Sequence, residues 1–212
     1  MKADQGIAII DYKMSNLFSI KNALDNLGIE AFITSDPEEI LNSKGAILPG
    51  VGSYPEAMGN LSDMNLISTI KDFIDLNKPF MGICLGLQLL FEKSEEFGNS
   101  KGLGIINGSV KLFSDLKEIR TVPHVGWNQA LLNEGCNSTN HSKIIENKDY
   151  FYFVHSLYVS PEDEEIIKSY TSHDGFKFCS SIMYKNIFAS QFHPEKSGPA
   201  GLHLLSKFFG NV

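Results

Sequence analysis

The chain has few cysteines, no long hydrophobic run and no block of positive charge. Its three cysteines, Cys84, Cys136 and Cys179, are an odd number without the spacing of a metal site. No apolar run approaches the roughly 18 residues of a membrane span, so no membrane association is expected. With 18 Lys and Arg against 25 Asp and Glu the net charge is -7. That balance argues against nonspecific binding to nucleic acid.

The remaining composition is that of an ordinary globular protein. The 212 residues are 42% hydrophobic and show no repeat and no linker. We therefore expect one domain over residues 1–212 with a single large core. The first residues lack the long apolar region of a signal peptide, and unpaired cysteines suit a reducing compartment. These observations together predict a cytoplasmic protein.

Strands and helices alternate in the first half of the chain. Apolar segments that read as buried strands lie at 6–10, 30–34, 45–48 and 79–83, and helices are predicted over 17–27, 35–39 and 64–76. This pattern predicts an α/β fold whose central sheet is mostly parallel and is covered by helices on both faces. The second half has extended segments at 102–113, 149–159, 176–184 and 187–192, and a closing helix over 198–209. It predicts additional antiparallel strands, with a hairpin turn at 184–186.

One cysteine lies between a predicted strand and a predicted helix over 85–92. The segment Gly82-Ile-Cys84-Leu-Gly86 places a glycine two residues away on each side of the sulfur. Glycines at these positions permit the sharp strand-to-helix turn of a nucleophile elbow, here with Cys in place of Ser. The alternative is a buried structural cysteine at a strand end.

A candidate base and its orienting group follow the last predicted strand. His193 and Glu195 are two residues apart, so their side chains can face the same way. A cysteine nucleophile needs a base to move its proton, and that base needs an acceptor on its second nitrogen. The alternative for this segment is a solvated His-Pro-Glu turn.

An oxyanion site is also predictable near Cys84. The backbone N–H of Leu85 is one natural donor, and the loop at 49–52, which ends in Gly52, is a candidate for the other. The alternative is that these glycines only make a turn. The segments 11–16 and 49–52 and Cys84 all follow predicted parallel strands, where such sheets bind ligands.

The motifs taken in order resemble class I, triad-type glutamine amidotransferases, which have a flavodoxin-like architecture. More narrowly, they are similar nearly end to end to the glutaminase subunits of imidazole glycerol phosphate synthase. The matching segments are Ile10-Asp-Tyr, Leu48-Pro-Gly-Val-Gly52, Gly82-Ile-Cys-Leu-Gly-Leu-Gln-Leu-Leu90, Val122-Pro-His-Val-Gly-Trp-Asn128, Tyr152-Phe-Val-His-Ser156 and Gln191-Phe-His-Pro-Glu-Lys-Ser197.

The resemblance implies a reaction. Cys84 would attack the side-chain amide of glutamine to form a glutamyl thioester, with His193 and Glu195 completing the triad. Gly52 and Leu85 would form the oxyanion hole. No metal or cofactor is implied.

It also implies binding residues and a partner. Gln88 and Ser156 match positions that hold glutamine, whereas His124 and His155 are interpreted as structural. Ammonia would pass to a (β/α)-barrel cyclase subunit, which makes imidazole glycerol phosphate and AICAR in histidine biosynthesis. The positions that match the partner interface are Asn16, Trp127, Asn128, Tyr152 and Lys196.

The first loop departs from the family pattern Asp-Tyr-Gly-x-Gly-Asn. Lys13 and Ser15 stand where the two glycines are usual. This leaves open a second pathway, in which the same glutaminase serves a barrel partner that aminates surface-glycan sugars. A non-catalytic binding module and a Cys hydrolase of the peptidase or chaperone type are further alternatives. Cys179 is interpreted as structural, and Cys136 lies in a polar loop over 133–140.

Overall fold

A computed structural model describes residues 5–14, 16–136 and 144–210 of the chain. The first half contains β1 (Gln5–Ile10), α1 (Leu17–Asn26), β2 (Ala31–Thr34), α2 (Pro37–Asn42), β3 (Ser43–Leu48), α3 (Tyr54–Asp63), α4 (Leu66–Asp75), β4 (Phe80–Ile83) and α5 (Leu85–Leu89). The second half contains β5 (Phe91–Ser94), β6 (Ser100–Lys101), β7 (Ile106–Leu112), β8 (His124–Leu132), β9 (Asp149–His155), β10 (Leu157–Pro161), β11 (Ile167–His173), β12 (Phe176–Tyr184), β13 (Ile187–Ser190) and α6 (Gly198–Phe209).

The central part of the sheet is parallel. Its strands lie in the order β2, β1, β3, β4 and β13, all pointing the same way. The order continues through the antiparallel strands β12, β10 and β7, and ends with β5 and β6. On a second branch β11 joins β12 to β8, which pairs with β9. The predicted mixed α/β fold is confirmed.

Helices cover both faces of the sheet, as predicted. Alternate residues of β1 enter different cores, because successive side chains of a strand point to opposite faces. Ala8 and Ile10 belong to the core beneath α2, α3, α4 and α5. Ile7 and Ile9 belong to the core beneath α1 and α6. Among the described residues, no helix is long and apolar enough to cross a membrane.

Several element boundaries differ from the predicted ones. The helix α3 was not predicted, although Pro55 near its start is typical of a first helical turn. Asn65 adopts a left-handed conformation with φ 55° and separates α3 from α4, so the helix predicted over 64–76 begins at Leu66. The helix predicted over 85–92 ends at Leu89, because Phe91 begins a strand that pairs with β7. Tertiary pairing overrides local periodicity here.

The second half was predicted less completely. The strands β8 and β11 were not predicted, whereas the hairpin between β12 and β13 is confirmed by the pairing of Tyr184 with Ile187. Part of the polar loop predicted over 133–140 lies outside the described residues.

Two glycines beside Cys84 allow close backbone approach. A Cβ on Gly86 would lie 1.8 Å from the Leu48 carbonyl oxygen, and one on Gly82 would meet the Gly86 backbone at 3.0 Å. The turn after β4 therefore packs directly against the end of β3. The chain cannot make this contact with a larger residue at position 86.

We expect Gly86→Ala to lower the free energy of unfolding by about 2–3 kcal/mol, because backbone rather than a flexible side chain blocks the added methyl group. The matched control is Gly59→Ala in α3, where nothing lies within 4 Å of the added Cβ. That change is expected to stabilise the protein by about 0.5–1 kcal/mol. Urea denaturation measures both variants, and equal effects at the two sites would contradict the packing argument.

Candidate active site

Cys84 occupies a strained turn between β4 and α5. Its backbone has φ 54° and ψ -107°, a left-handed conformation that a residue with a side chain rarely adopts. The backbone is held there because Cys84 N–H donates to the Ser190 carbonyl at 2.7 Å, next to the pairing of β4 with β13. Strain of this kind persists only where surrounding structure fixes it, and it is common at nucleophile elbows. The predicted turn is present, and Cys84 is 7% exposed.

His193 and Glu195 form a buried pair just after β13. Their closest atoms, His193 Nδ1 and Glu195 Oε1, are 2.8 Å apart, and both side chains are at most 4% exposed. The carboxylate accepts a hydrogen bond from the Nδ1–H group. This leaves Nε2 as the ring nitrogen that can exchange a proton with Cys84. The parallel pairing of β13 with β4 brings this nitrogen to the same end of the sheet as Cys84.

A buried serine fixes the backbone of this histidine. Ser197 Oγ donates to the His193 carbonyl at 2.6 Å and accepts from the Tyr152 N–H at 3.0 Å. His193 N–H in turn donates to the Tyr152 carbonyl at 2.9 Å. The turn that holds His193 and Glu195 is therefore hydrogen-bonded to β9 through both the N–H and the carbonyl of Tyr152.

Two opposing effects set the pKa of His193. Burial lowers it, but the interactions with Cys84 and Glu195 outweigh burial and raise the pKa of His193 above its ordinary value. His193 Nε2 is buried and has no hydrogen-bond partner of good geometry within the described part of the chain, which leaves this nitrogen available to the Cys84 sulfur. This arrangement favours the protonated form of His193.

A cavity of about 340 Å³ opens beside the sulfur. It is lined by five of the predicted site residues, Gly52, Cys84, Leu85, Gln88 and Ser156. His193 and Glu195 do not line it. The structure therefore places the predicted substrate-binding and oxyanion residues around one space with the sulfur at its wall.

Glu96 also lines this cavity and was not predicted from the sequence. Its Oε2 accepts the Tyr54 N–H at 2.6 Å, at the start of α3, so the carboxylate is fixed in place. The segment around Glu96 carries no motif, and only the tertiary structure brings it to the site.

The loop at 49–52 is held by the first loop of the chain. Tyr12 Oη donates to the Pro49 carbonyl at 2.6 Å, and Val51 N–H donates to the Met14 carbonyl at 2.8 Å. Gly52 has φ 99°, which favours glycine. Lys13 has φ 70°, so it keeps the left-handed conformation that the glycine usual at this position would adopt readily. Ser15 lies outside the described residues.

Behind the cavity, two histidines form a hydrogen-bonded relay. Asn128 Nδ2 donates to His124 Nε2 at 3.1 Å, His124 Nδ1 meets His155 Nε2 at 2.9 Å, and His155 Nδ1 donates to the Leu157 carbonyl at 2.7 Å. Each ring then carries its proton on Nδ1, so both rings are neutral. Burial is the main cause that lowers the pKa of His124 to about 4 and that of His155 to about 3. Their interpretation as structural residues agrees with this arrangement.

The ribbon of β8 and β9 has an exposed apolar face. Val125, Trp127, Tyr150 and Val154 are 37–56% exposed, and the alternation of the paired strands puts them on one side with Tyr152. The Trp127 and Tyr152 rings meet edge to face at 6.2 Å. We call this set the ribbon face.

The other predicted interface residues are not members of the ribbon face. Asn128 points to the opposite side, where its amide nitrogen donates hydrogen bonds to His124 Nε2 and to the Ser172 carbonyl. Asn16 and Lys196 are both exposed; Asn16 caps the start of α1, and Lys196 follows Glu195. Their roles stay predictions.

The remaining cysteines differ in setting. Burial raises the pKa of Cys179, whose thiol donates to the Ser181 carbonyl. Cys136 is half-buried at the end of the described segment 16–136. Neither lines the cavity that holds Cys84.

A strained cysteine elbow beside a His–Glu pair on a parallel sheet is the arrangement predicted for a class I amidotransferase, and sequence comparison shows that class. The family model described as "Glutamine amidotransferase class-I" matches residues 8–212. Solved structures share the fold: a crystal structure of a glutamine amidotransferase superposes with a TM-score of 0.71 at 17% identity, covering 97% of this chain and 100% of that one. A structure of PurLQS from Thermotoga maritima superposes with a TM-score of 0.72 at 17% identity, covering 98% of this chain and 99% of that one.

The curated relatives narrow the family. Imidazole glycerol phosphate synthase subunit HisH of Bacillus mycoides is 45% identical over 206 residues, covering 97% of this chain and 95% of the relative. The subunit HisH of Rhodopirellula baltica is 43% identical over 202 residues, covering 95% of this chain and 96% of the relative. The chain therefore belongs to the class I glutamine amidotransferase family, in the group of imidazole glycerol phosphate synthase HisH subunits.

We expect the histidine relay to make the protein less stable as the pH falls from 7 to 5. The folded pKa values of His124 and His155 lie below the ordinary 6.5, so the unfolded chain binds more protons in this range. Each histidine then costs up to roughly 1.4 kcal/mol per pH unit below 6.5. His193 has the opposite effect on stability, because its folded pKa is raised. The stability that it adds is fully present below pH 6.5 and is lost as the pH rises from there through the folded pKa.

Urea denaturation at several pH values measures this slope. His124→Gln removes one titrating group and should flatten the slope, whereas His203→Gln in α6, outside the relay, should leave it unchanged. A His124→Gln slope equal to that of the wild type would contradict the assignment.

Proposed function

We propose that this chain hydrolyses glutamine to glutamate and ammonia with a Cys84–His193–Glu195 triad and supplies the ammonia to a cyclase subunit that makes imidazole glycerol phosphate. The observation that carries the proposal is the strained elbow at Cys84, at the same end of the sheet as a buried His–Glu pair. The full-length similarity to HisH subunits supports the same chemistry and the histidine pathway.

Each of these groups has a role in one step of the proposed reaction. The Cys84 thiolate attacks the side-chain carbonyl of glutamine, and the negative charge that forms on oxygen is stabilised by the N–H groups of Leu85 and Gly52. Protonated His193 gives its proton to the departing ammonia, leaving a thioester on the sulfur. Neutral His193 then takes a proton from water, which attacks the thioester and releases glutamate.

The cavity is suited to glutamine as substrate. Its volume of about 340 Å³ takes one small amino acid. Gln88 and Ser156 offer polar side chains for the substrate, and the fixed carboxylate of Glu96 is a natural partner for the α-ammonium group. Glu96 thereby adds a charged contact to the predicted binding residues.

The ribbon face is the proposed docking surface for the cyclase subunit, a (β/α)-barrel. Exposed aromatic and aliphatic side chains in one patch are typical of a protein interface. The patch also lies close to the chemistry, because the Val154 carbonyl is 4.0 Å from Cys84 Sγ. A partner seated here would receive ammonia directly from the site.

We expect Cys84→Ala to reduce glutamate release from glutamine by about a thousandfold or more, because the thioester cannot form. The variant should fold normally, since alanine has a Cβ and no greater backbone strain than cysteine at this φ. Cys136→Ala is the matched control and should keep wild-type activity. Glutamate release at the wild-type rate by folded Cys84→Ala would contradict the triad.

The same assay tests the acceptor. It is run with the cyclase subunit and its ribonucleotide substrate, and the histidine-pathway assignment requires imidazole glycerol phosphate formed from glutamine. Glutamate release without that product would instead favour the surface-glycan acceptor.

We expect Trp127→Ala to weaken binding to the cyclase subunit by about 2 kcal/mol, or roughly 30-fold in Kd, because central aromatic residues dominate interface energies. Leu76→Ala is the control, since Leu76 is similarly exposed but follows α4 at the amino edge of the sheet, away from the site. Isothermal titration calorimetry measures both. Equal affinities for the two variants would place the interface elsewhere.

A further inference from the structure

Gln191 is a buried amide that contacts the nucleophile and has no role in the steps described above. Its side chain is fully buried, and its backbone N–H donates to the Ser180 carbonyl at 2.9 Å, just beyond the end of β13. The side-chain Nε2 lies 3.6 Å from Cys84 Sγ, within hydrogen-bond range for sulfur. A thiolate accepts hydrogen bonds and cannot donate one, so an N–H donor at this position favours the charged sulfur.

The other end of the same amide contacts a cavity residue. Gln191 Oε1 accepts a hydrogen bond from Gln88 Nε2 at 3.0 Å. Gln88 is 4% exposed and lines the cavity. Because one N–H of its Nε2 donates to Gln191, the orientation of the amide is fixed and its Oε1 is an acceptor available to a ligand in the cavity. Gln88 thus offers a hydrogen-bond acceptor, which suits an N–H group of the substrate.

The two amides can reverse only together. If Gln191 turned over, its oxygen would face the sulfur and its NH₂ would face the Gln88 NH₂, so Gln88 would have to turn as well. A negative sulfur opposes that reversal, since it would then face a carbonyl oxygen. The charge of Cys84 and the polarity of the cavity wall are therefore linked through one buried side chain.

We propose that Gln191 is a positioning residue for the glutaminase reaction, donating to the Cys84 thiolate and fixing Gln88 with its amide oxygen available to the substrate. This inference rests on the proposed function, because it assigns the linkage to the glutamine site. It predicts that the amide pair affects the ionisation of Cys84 even when no substrate is bound.

The test is the pH dependence of Cys84 alkylation by iodoacetamide in the full chain, followed by mass spectrometry of the Cys84 peptide. Gln191→Met keeps the side-chain length and removes the donor, so the midpoint of the profile should rise by about one pH unit. Gln129→Met on β8 is the matched control and should leave the midpoint unchanged. Because no glutamine is present, this readout is independent of turnover, which is measured separately on the wild type with its cyclase partner.

Gln88→Met and the double variant complete a double-mutant cycle. Removing Gln88 frees Gln191 to reverse, so Gln88→Met alone should raise the midpoint by less than Gln191→Met does. The double variant should match Gln191→Met, since Gln88 acts on the sulfur only through Gln191. If Gln191→Met does not fold, an upward shift in Gln88→Met still supports the inference.

Three results would overturn the inference. They are a wild-type midpoint in folded Gln191→Met, additive shifts in the double variant, and an unshifted midpoint in Gln88→Met. Absence of glutamine hydrolysis by the wild-type complex, with a shifted midpoint in Gln191→Met, would instead reject the proposed function while leaving the amide contact standing.

Discussion

The parallel pairing of β4 with β13 is the contact on which the site depends. It sets Cys84 N–H against the Ser190 carbonyl at 2.7 Å and so holds a backbone conformation that cysteine would otherwise avoid. The same pairing brings the turn after β13 beside the turn after β4, which places His193 near the sulfur. The strain at Cys84 and the proximity of His193 thus have one cause, the register between two buried strands.

Charge at the site is controlled by what surrounds each group rather than by its type. His193 and His155 are both buried histidines, yet their pKa values move in opposite directions. His193 contacts a carboxylate and a thiol that can carry negative charge, so its protonated form is favoured. His155 contacts a second histidine and a carbonyl oxygen, so burial prevails and its neutral form is favoured. One histidine is thereby suited to proton transfer, whereas the other is suited to holding the cavity wall.

The ribbon of β8 and β9 connects the proposed partner surface to the chemistry. Its inner face supplies His124, Phe153 and His155 to the core, and its outer face exposes Trp127 and Tyr150. The same strand β9 accepts a hydrogen bond from the His193 N–H and donates one to Ser197 Oγ. A partner that moved this ribbon would therefore move His193 as well as the cavity wall, because hydrogen bonds of Tyr152 join β9 directly to the turn that holds His193.

The sequence alone determined the class of fold and predicted the residues of the proposed triad. Cys84 has glycines on both sides and His193 is followed by Glu195 two positions later, so both signals are local and survive without three-dimensional information. Alternating apolar strands and helices also predicted a parallel sheet with both faces covered. Only the tertiary structure decided which further side chains reach the sulfur. Gln191 and Cys84 are 107 positions apart, and Glu96 carries no motif, so their places depend on strand order and on packing between distant segments. The strands β8 and β11 and the early end of α5 were likewise set by pairing partners far away in the chain, which local periodicity cannot specify.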